Sequence, residues 1–253
     1  MAFDEQEAIG DFWLARVRGE YFPPEWFDRL TLDEAYRIQL GIIARRCASG
    51  EKQIGWKVGL TAEPIQQQFG FHEPVFGCIL DHRASGHVFR RDELIRPGFE
   101  PELCLRVNQD LSGEISMLTA RNAIDRVYPS LEIIETRGDL SAQIAVAMAD
   151  NAQQKTIILG NSVPLDGLGL HGIEATIQIN GKTVATGRGD AVLGNPINSV
   201  IWLARKLAEF GRSIRAGDLI MSGSFTRQFP IEPGDRVHAD FKGVGDVQTA
   251  MLA

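Results

Sequence analysis

The sequence lacks the features that mark membrane proteins and nucleic-acid-binding proteins. Its 253 residues contain no uninterrupted apolar stretch near the about 18 to 20 residues that a membrane-spanning helix requires. Lysine and arginine total 26 against 33 aspartates and glutamates, a formal net charge of −7, and they form no basic block. Such a chain has little with which to bind a phosphate backbone, so we expect no nucleic-acid partner and no membrane association.

Cysteine is scarce as well. The three cysteines, Cys47, Cys78 and Cys104, are odd in number, lie far apart and form no C-x-x-C pair. This pattern argues against a disulfide framework and against a zinc site. The acidic residues 1–7 also lack the basic and apolar regions of a secretion signal. We therefore expect a protein of the reducing cytoplasm.

The remaining composition is that of a folded globular protein, with 44% hydrophobic and 23% charged residues. Residues 1–50 are predicted to form a helical N-terminal cap. A helix is expected around residues 11–18, and a second one begins at a capping box formed by Thr31 and Glu34. Apolar residues then follow at helical spacing, as a helix packed on a core requires.

Residues 51–253 are predicted to form a β-rich catalytic core. Asn180 and Gly181 lie between two short alternating segments, which is typical of a type I′ hairpin. One later helix is predicted to begin at a cap on Asn198 or Ser199. No low-complexity linker separates core and cap, so we expect one cooperative unit of the α+β class.

Several charged residues stand inside apolar segments, where an unpaired charge is costly. Lys57 and Glu132 each lie within such a run. Glu100 and Glu102 are two residues apart, so on a strand they share one face. Because Pro101 between them cannot donate a hydrogen bond, we expect this pair at a strand start or on an edge strand.

Glu100 and Glu102, with Glu132 as a third carboxylate from another strand, would form a hard oxygen-ligand set suited to Mg²⁺ or Mn²⁺. Two other interpretations stay open at this point. Glu100 and Glu102 could form a solvated strand edge. Glu132 could instead make a structural ion pair with Arg137 or Lys57.

Further motifs occur along the chain in a fixed order: GWKVGLT at 55–61, ExE at 100–102, LEIIETR at 131–137, ADNA at 149–152 and AVLGNP at 191–196. Together they resemble the 2-keto-4-pentenoate hydratase and 4-oxalocrotonate decarboxylase group of the fumarylacetoacetate hydrolase superfamily. The resemblance extends over nearly the whole chain, from residues 35–39 to residues 233–235. Several motifs in one order are more specific than any single motif.

The resemblance implies a mixed β-roll core beneath the helical cap. It also implies a homo-oligomer and one divalent metal ion, held by the residues that match Glu100, Glu102 and Glu132. Lys57 matches the active-site lysine of the group. We further expect four residues to contact the substrate: Leu60, Phe76, Thr226 and Arg227.

The chain departs from the pattern of the hydratases at two positions. Val75 stands where hydratases usually have an aspartate, which is more like the decarboxylases, and Gln153 replaces the serine usual after D-N-A. The segment 222–227, in contrast, looks like that of hydratases that act on seven-carbon dicarboxylates. The resemblance therefore leaves the choice of reaction divided.

The favoured interpretation is a metal-dependent hydratase of the meta-cleavage catabolism of aromatic compounds. It would add water to a 2-hydroxy-2,4-dienoate, or to its 2-oxo tautomer, and give a 4-hydroxy-2-oxo acid. The ion would chelate the C1 carboxylate and the C2 oxygen. A nearby cation should lower the pKa of Lys57, which would then move a proton during ketonisation. Arg227 would hold a distal carboxylate.

Three alternatives remain. A decarboxylase would act on 2-oxohex-3-enedioate (4-oxalocrotonate) with the same metal-bound enolate, and Val75 favours it. An acylpyruvate-type hydrolase would need a base that activates water, for which His72 and Glu73 are the candidates. A non-enzymatic regulatory or assembly partner would not need to keep Lys57 and the three glutamates.

Overall fold

The computed structural model describes residues 3–68 and 70–253. Six α-helices occur within these residues: α1 Glu5–Arg18, α2 Leu32–Ala48, α3 Glu63–Gln68, α4 Met117–Ala123, α5 Ile144–Ala149 and α6 Ile197–Glu209. The strands are β1 Gly55–Gly59, β2 Val75–Ile79, β3 His82–Ala84, β4 Val88–Phe89, β5 Pro97–Val107, β6 Ile124–Glu135, β7 Gln154–Leu159, β8 Val163–Pro164, β9 Glu174–Ile179, β10 Lys182–Arg188, β11 Leu219–Ser224, β12 Phe229–Pro230, β13 Arg236–Phe241 and β14 Gly245–Met251. None of the described helices combines the length and apolar character that a bilayer crossing needs.

The first two helices form the N-terminal helical layer. Helix α1 begins after Asp4, whose side chain accepts hydrogen bonds from the first turn, and it starts several residues before the predicted position. Helix α2 begins with the predicted capping box, in which Thr31 and Glu34 bond each other's backbone N–H groups. Helix α2 packs on α1 and on α5. That this layer and the core unfold as one cooperative unit stays a prediction.

The large sheet has the strand order β2-β1-β11-β5-β6-β7-β3, with β12 beside β5 and β8 beside β6. Strands β5 and β6 form its centre as a long antiparallel pair, and β1 runs parallel to β11. A smaller sheet has the order β10-β9-β13-β14-β4 and packs against β6 and β7. Its β9–β10 hairpin turns at Asn180 and Gly181, both with positive φ, so the predicted type I′ hairpin is confirmed.

The predicted N-terminal cap of α6, on Asn198 or Ser199, is wrong. Ser199 does not cap α6: it is fully buried and donates a hydrogen bond to the Ser222 carbonyl oxygen. Asn198 lies inside the helix, and the Asn195 side chain bonds the Ile197 N–H instead. The side-chain oxygen of Asn195 thus accepts the hydrogen bond that the side chain of a capping residue would otherwise accept.

The expectation for Pro101 is also wrong, because β5 is a central strand. Strand β6 lies on one side of it, and β11 and β12 lie on the other. The Pro101 carbonyl oxygen accepts from the Phe225 N–H at 2.9 Å, where β11 is irregular between Met221 and Ser224. A residue's N–H and C=O point to the same side of a strand. The nitrogen of Pro101 therefore faces this irregularity in β11. Its lack of an N–H group removes no hydrogen bond between β5 and β6.

Strand β2 lies at one end of the large sheet, where side chains bond the outward-facing backbone groups of Phe76 and Cys78. Tyr36 Oη accepts from the Phe76 N–H at 3.3 Å, and Gln39 Nε2 donates to the Phe76 oxygen at 3.2 Å. Asn151 accepts from the Cys78 N–H at 2.7 Å and donates to the Cys78 oxygen at 2.9 Å. The helical layer and the loop before β7 thus hold β2 in place.

Candidate active site

Lys57 lies in the middle of β1, between its partners Gly77 on β2 and Met221 on β11. Only 5% of its surface is exposed. A Cβ atom on Gly59 would lie 2.9 Å from Lys57 Nζ, and one on Gly77 would lie 3.2 Å from Lys57 Cγ. The two glycines thus leave the space in which the lysine side chain extends.

The structure brings the three glutamates to this lysine. Glu100 on β5 pairs directly with Glu132 on β6, and Glu102 follows two residues along on the same face. One carboxylate oxygen from each glutamate lies within 4.8 Å of the others. Lys57 Nζ lies 3.4 Å from Glu132 Oε2. Four charged groups from three strands therefore meet at one point of the sheet.

Three carboxylate oxygens of this cluster accept no hydrogen bond within the described residues. Glu102 Oε2 accepts from the Gly223 N–H at 2.8 Å. Glu102 Oε1 and both oxygens of Glu132 are buried without a hydrogen-bond partner among the described residues. Buried carboxylate oxygens without partners are strongly unfavourable. A divalent cation would satisfy all of them, so the residues present fit a hard metal ion.

The electrostatics of the cluster follow from burial and like charge. Burial and the neighbouring Glu132 raise the pKa of Glu100 to about 7. Burial also raises the pKa of Glu102 well above its usual value, and the charges of Glu132 and Glu100 add to this. Burial would lower the pKa of Lys57, but the surrounding carboxylates raise it. The expected lowering requires a cation beside Lys57, and the carboxylates alone do the opposite.

A cavity of about 530 Å³ opens beside the cluster. Lys57 and Glu100 line it, whereas Glu102 and Glu132 are buried beneath its wall. Of the expected substrate contacts, Leu60 lies on the cavity, as does Val75 next to it. The cavity is large enough for a small organic acid.

Phe76, Thr226 and Arg227 are not brought to the cavity. Phe76 is fully buried and stacks on Tyr36 with ring centroids 4.0 Å apart, because alternate residues of β2 face opposite sides of the sheet. Thr226 Oγ1 donates to the Arg227 carbonyl oxygen. The Arg227 guanidinium lies 4.1 Å from the centre of the Phe229 ring, outside the cavity.

Sequence reasoning missed several polar residues of the cavity wall: Arg96, Thr136, Asp139, Ser141 and Gln228. Thr136 carried a signal, since it follows Glu132 and Ile134 at alternate positions. Gln228 gave no such signal in the sequence. It reaches the cavity only because β12, which follows it, pairs with the distant strand β5.

A second group of charges, buried except for Lys155, lies next to the first. The Arg137 guanidinium bonds both Glu135, at 2.9 Å, and Asp150. Lys155 Nζ lies 3.3 Å from the other Glu135 oxygen. The suggestion that Glu132 pairs with Arg137 is therefore wrong, and Lys57 is its ionic partner. This second group fixes the ends of β6 and β7.

The loop before β7 has an unusual backbone. Asn151, Ala152 and Gln153 all have positive φ, between 49° and 58°. The turn is held because the Gln153 oxygen accepts from the Arg137 N–H at 2.7 Å. Left-handed non-glycine residues persist only where their surroundings fix them, and such positions concentrate at functional sites. Here they place Ala152 and Gln153 on the cavity wall.

His72 and Glu73 do not reach the cavity that Lys57 lines. Glu73 Oε1 lies 2.9 Å from Lys206 Nζ on α6, and Trp202 Nε1 donates to its other oxygen. His72 lines other cavities. The structure therefore offers no His–Glu base at Lys57 among the described residues.

The chain is similar to known proteins over most of its length. The chain is 34% identical over 252 residues to the 2-keto-4-pentenoate hydratase of Paraburkholderia xenovorans strain LB400, covering 96% of this chain and 93% of the relative. It is 33% identical over 233 residues to a 4-oxalocrotonate decarboxylase of Pseudomonas putida, covering 89% and 88%.

The fold has a counterpart among solved structures. The 4-oxalocrotonate decarboxylase from Pseudomonas putida G7, in complex with magnesium and adipate, superimposes with a TM-score of 0.94 at 29% identity, over 99% of both chains. This match over the whole chain, including the two sheets and the N-terminal helices described above, confirms the predicted fold class. Residues 71–251 match the family model described as fumarylacetoacetate (FAA) hydrolase C-terminal. The chain therefore belongs to the fumarylacetoacetate hydrolase family, in the group of the 2-keto-4-pentenoate hydratases and 4-oxalocrotonate decarboxylases.

Proposed function

We propose that this protein is a metal-dependent lyase that adds water to a 2-hydroxy-2,4-dienoate, or to its 2-oxo tautomer. The product would be a 4-hydroxy-2-oxo acid of aromatic meta-cleavage catabolism. The observation that carries this proposal is the meeting of Lys57 with three glutamates at the wall of one cavity. The hydratase and decarboxylase among the relatives support the same reaction class.

Glu100, Glu102 and Glu132 would hold Mg²⁺ or Mn²⁺. Three carboxylates with unpaired oxygens suit these ions, and the similar decarboxylase was solved with magnesium. When bound, the ion would supply Lewis acidity to the C1 carboxylate and the C2 oxygen of the substrate. The Gly223 N–H would keep Glu102 oriented through the bond that it already donates.

Lys57 would act as the proton carrier. Its ammonium group stands between Glu132 and the cavity, so it reaches both the carboxylate cluster and a bound acid. As an ammonium group it would donate a proton to C5 and then, as the neutral amine, take the proton of the 2-hydroxyl group, so that the dienol becomes the 2-oxo-3-enoate. Water then adds at C4. The apolar side chains of Leu60 and Val75 would limit access of bulk water to the lysine.

Decarboxylation of 2-oxohex-3-enedioate is the second candidate, and Val75 is the observation that favours it. A Cβ on Gly59 would lie 3.4 Å from Val75 Cγ2, so this methyl group stands close to Lys57. A valine cannot position water. In a hydratase the water would have to be held by another polar group of the wall, of which Gln153, Thr136 and Ser141 are the candidates.

Two other features of the proposal come from the sequence alone. A cytoplasmic location rests on the odd and separated cysteines. A homo-oligomer rests on the family resemblance. The acylpyruvate-type hydrolase is the least favoured candidate, because Lys206 holds Glu73 away from the cavity that Lys57 lines.

Product analysis by NMR with Mg²⁺ tests the proposal, using 2-hydroxypenta-2,4-dienoate, 2-hydroxyhepta-2,4-diene-1,7-dioate and 2-oxohex-3-enedioate. A 4-hydroxy-2-oxo acid as the product supports hydration. Release of CO₂ from the six-carbon dioate without hydration would select the decarboxylase. If none of these compounds is converted with Mg²⁺ or with Mn²⁺, the assignment as a lyase of this class is refuted.

A further inference from the structure

Arg96 is a cation on the cavity wall that the proposed chemistry does not use. Its side chain is exposed, lines the cavity and makes no ion pair or hydrogen bond within residues 3–68 and 70–253. Asp139 also lines the cavity, but it forms no ion pair with Arg96. Its Oδ1 instead accepts from the Ser141 N–H, the Ser141 hydroxyl and the Ala142 N–H. Arg96 is therefore available to a ligand.

The backbone at Arg96 is held in an unusual conformation. Its φ is +41°, in the left-handed region that non-glycine residues rarely adopt. The neighbouring Ile95 N–H donates to Glu135 Oε1 at 3.1 Å, and the Thr136 N–H donates to the Arg96 carbonyl oxygen at 3.2 Å. Glu135 is in turn held by Arg137 and Lys155. The buried ion-pair network thus fixes the turn that carries Arg96.

The register of β5 and β6 places Arg96 just before the start of β5 and the glutamates farther along the same pair of strands. Glu100 pairs with Glu132, Gly98 pairs with Ile134, and the Arg96 oxygen bonds Thr136. Arg96 stands four positions before Glu100 in an extended chain, a distance of about 13 Å between their Cα atoms. Ile134 lies between Arg96 and the glutamates on the cavity wall. This pair of strands therefore offers a carboxylate cluster, an apolar middle and a cation in that order.

A linear acid with a second carboxylate matches this order of groups. We propose that Arg96 binds the distal carboxylate of a dicarboxylate substrate, a 2-hydroxydienedioate or its 2-oxo tautomer, and thereby sets substrate specificity. The inference rests on the proposed function for the position of the C1 end. It replaces Arg227, whose guanidinium covers the Phe229 ring outside the cavity. An arginine fork suits a carboxylate because it can donate two parallel hydrogen bonds.

Binding of unreactive analogues tests the inference without turnover. The probes are 2-oxohexanedioate and 2-oxoheptanedioate, each with the monoacid of the same length, titrated by calorimetry with Mg²⁺ present. In the wild type, at least one dioate should bind about 10- to 100-fold more tightly than its monoacid, as a hydrogen bond to a charged group allows. Arg96→Met should remove this difference and leave monoacid binding unchanged.

Two further variants make the result specific. Arg91→Met removes an exposed arginine of the same loop and should keep the preference for the dioate. Equal binding of dioate and monoacid by the wild type, or a preference that survives Arg96→Met, would overturn the proposal. If Arg227→Met loses the preference for the dioate and Arg96→Met keeps it, Arg227 is the residue that binds the distal carboxylate. If no analogue binds, or if binding does not need Mg²⁺, it is the proposed function that fails.

Discussion

Two groups of buried charges lie next to each other along β6, and they differ in how completely they are paired. Around Glu135, two carboxylates face Arg137 and Lys155, and their oxygens accept defined hydrogen bonds. Around Glu132, three carboxylates face a single lysine, and three carboxylate oxygens have no hydrogen-bond partner among the described residues. The first group is electrically balanced, whereas in the second three carboxyl groups share a single ammonium group.

This difference separates a structural network from a site. A balanced network is complete within the folded chain, so removing one partner leaves an uncompensated charge and destabilises the fold. An unbalanced cluster is completed only by something from outside, so removing the charge of a carboxylate that has no ionic partner should relieve the free protein and impair ligand binding. The predictions below test this contrast, beginning with the largest effect.

The largest effect is expected for Lys57→Met. The variant should fold and bind Mn²⁺, because methionine fills the same space between Gly59 and Gly77. Its kcat should fall by about 10²- to 10⁴-fold, the usual contribution of a positioned acid or base. Steady-state kinetics on the best substrate measures this, with the exposed Lys52→Met as control. A wild-type kcat would make Lys57 a structural residue.

Arg137→Met should lower the free energy of unfolding by about 3–5 kcal/mol, since Glu135 and Asp150 would remain buried without their partner. Urea denaturation followed by circular dichroism gives this value. Arg236→Met, at an exposed position of β13, serves as the matched control and should change little. A loss below about 1 kcal/mol would show that the network contributes no more than a surface pair.

Glu100→Gln, Glu102→Gln and Glu132→Gln should each weaken Mn²⁺ binding. The affinity for Mn²⁺ should fall by at least about 10- to 100-fold, because that is the loss caused by mutating residues that only hydrogen-bond to metal ligands. In the metal-free protein, Glu102→Gln should preserve or raise stability, the opposite sign to Arg137→Met, because it removes a buried charge that has no ion pair within the described residues. Calorimetric titration and urea denaturation measure the two quantities, with the exposed Glu114→Gln as control. Unchanged Mn²⁺ affinity in all three variants would refute the metal site.

The stability of the metal-free protein should depend on pH through Glu100. Its pKa in the folded protein is raised from 4.5 to about 7, so the charged form is disfavoured there. The stability linked to this group is fully present below 4.5 and is lost as the pH rises through about 7. Mn²⁺ should therefore raise the melting temperature more at about pH 8 than at about pH 6. An equal rise at both pH values would contradict this.

The smallest effect concerns the choice of reaction. Val75→Asp should raise hydration relative to decarboxylation, because a carboxylate on this wall could orient water and accept its proton. Both products are measured from one dienedioate. Val75→Thr keeps the shape of the side chain without a charge and should shift the ratio less. An unchanged ratio with intact Mn²⁺ affinity would mean that residue 75 does not control the reaction.

The sequence predicted the cluster well, because charges inside apolar runs need partners. Lys57 and Glu132 carried that signal individually, and Glu100 and Glu102 carried it through their spacing. The capping box of α2 and the β9–β10 hairpin could also be predicted, because residues close together in the sequence determine them. Local chemistry was sufficient for these features.

The distal part of the cavity could not be predicted in the same way. Arg96 reaches the wall through a left-handed turn clamped by Glu135, and Gln228 reaches it through a two-strand contact. Neither position has a local sequence pattern. Phe76 was assigned to the substrate by resemblance, although alternation along β2 predicts the opposite face from Val75. Pro101 was misplaced because its missing N–H meets an irregularity in β11.

The side-chain bonds along the outer edge of β2 have a consequence for encounters between chains. An end strand with free N–H and C=O groups can accept a strand from another molecule, which is a common route to aggregation. Here Tyr36 and Gln39 occupy the groups of Phe76, and Asn151 occupies both groups of Cys78. A second chain would have to displace these side chains before it could extend the sheet there. Growth of the sheet from copy to copy is thus disfavoured at this end, and copies would have to associate through other surfaces.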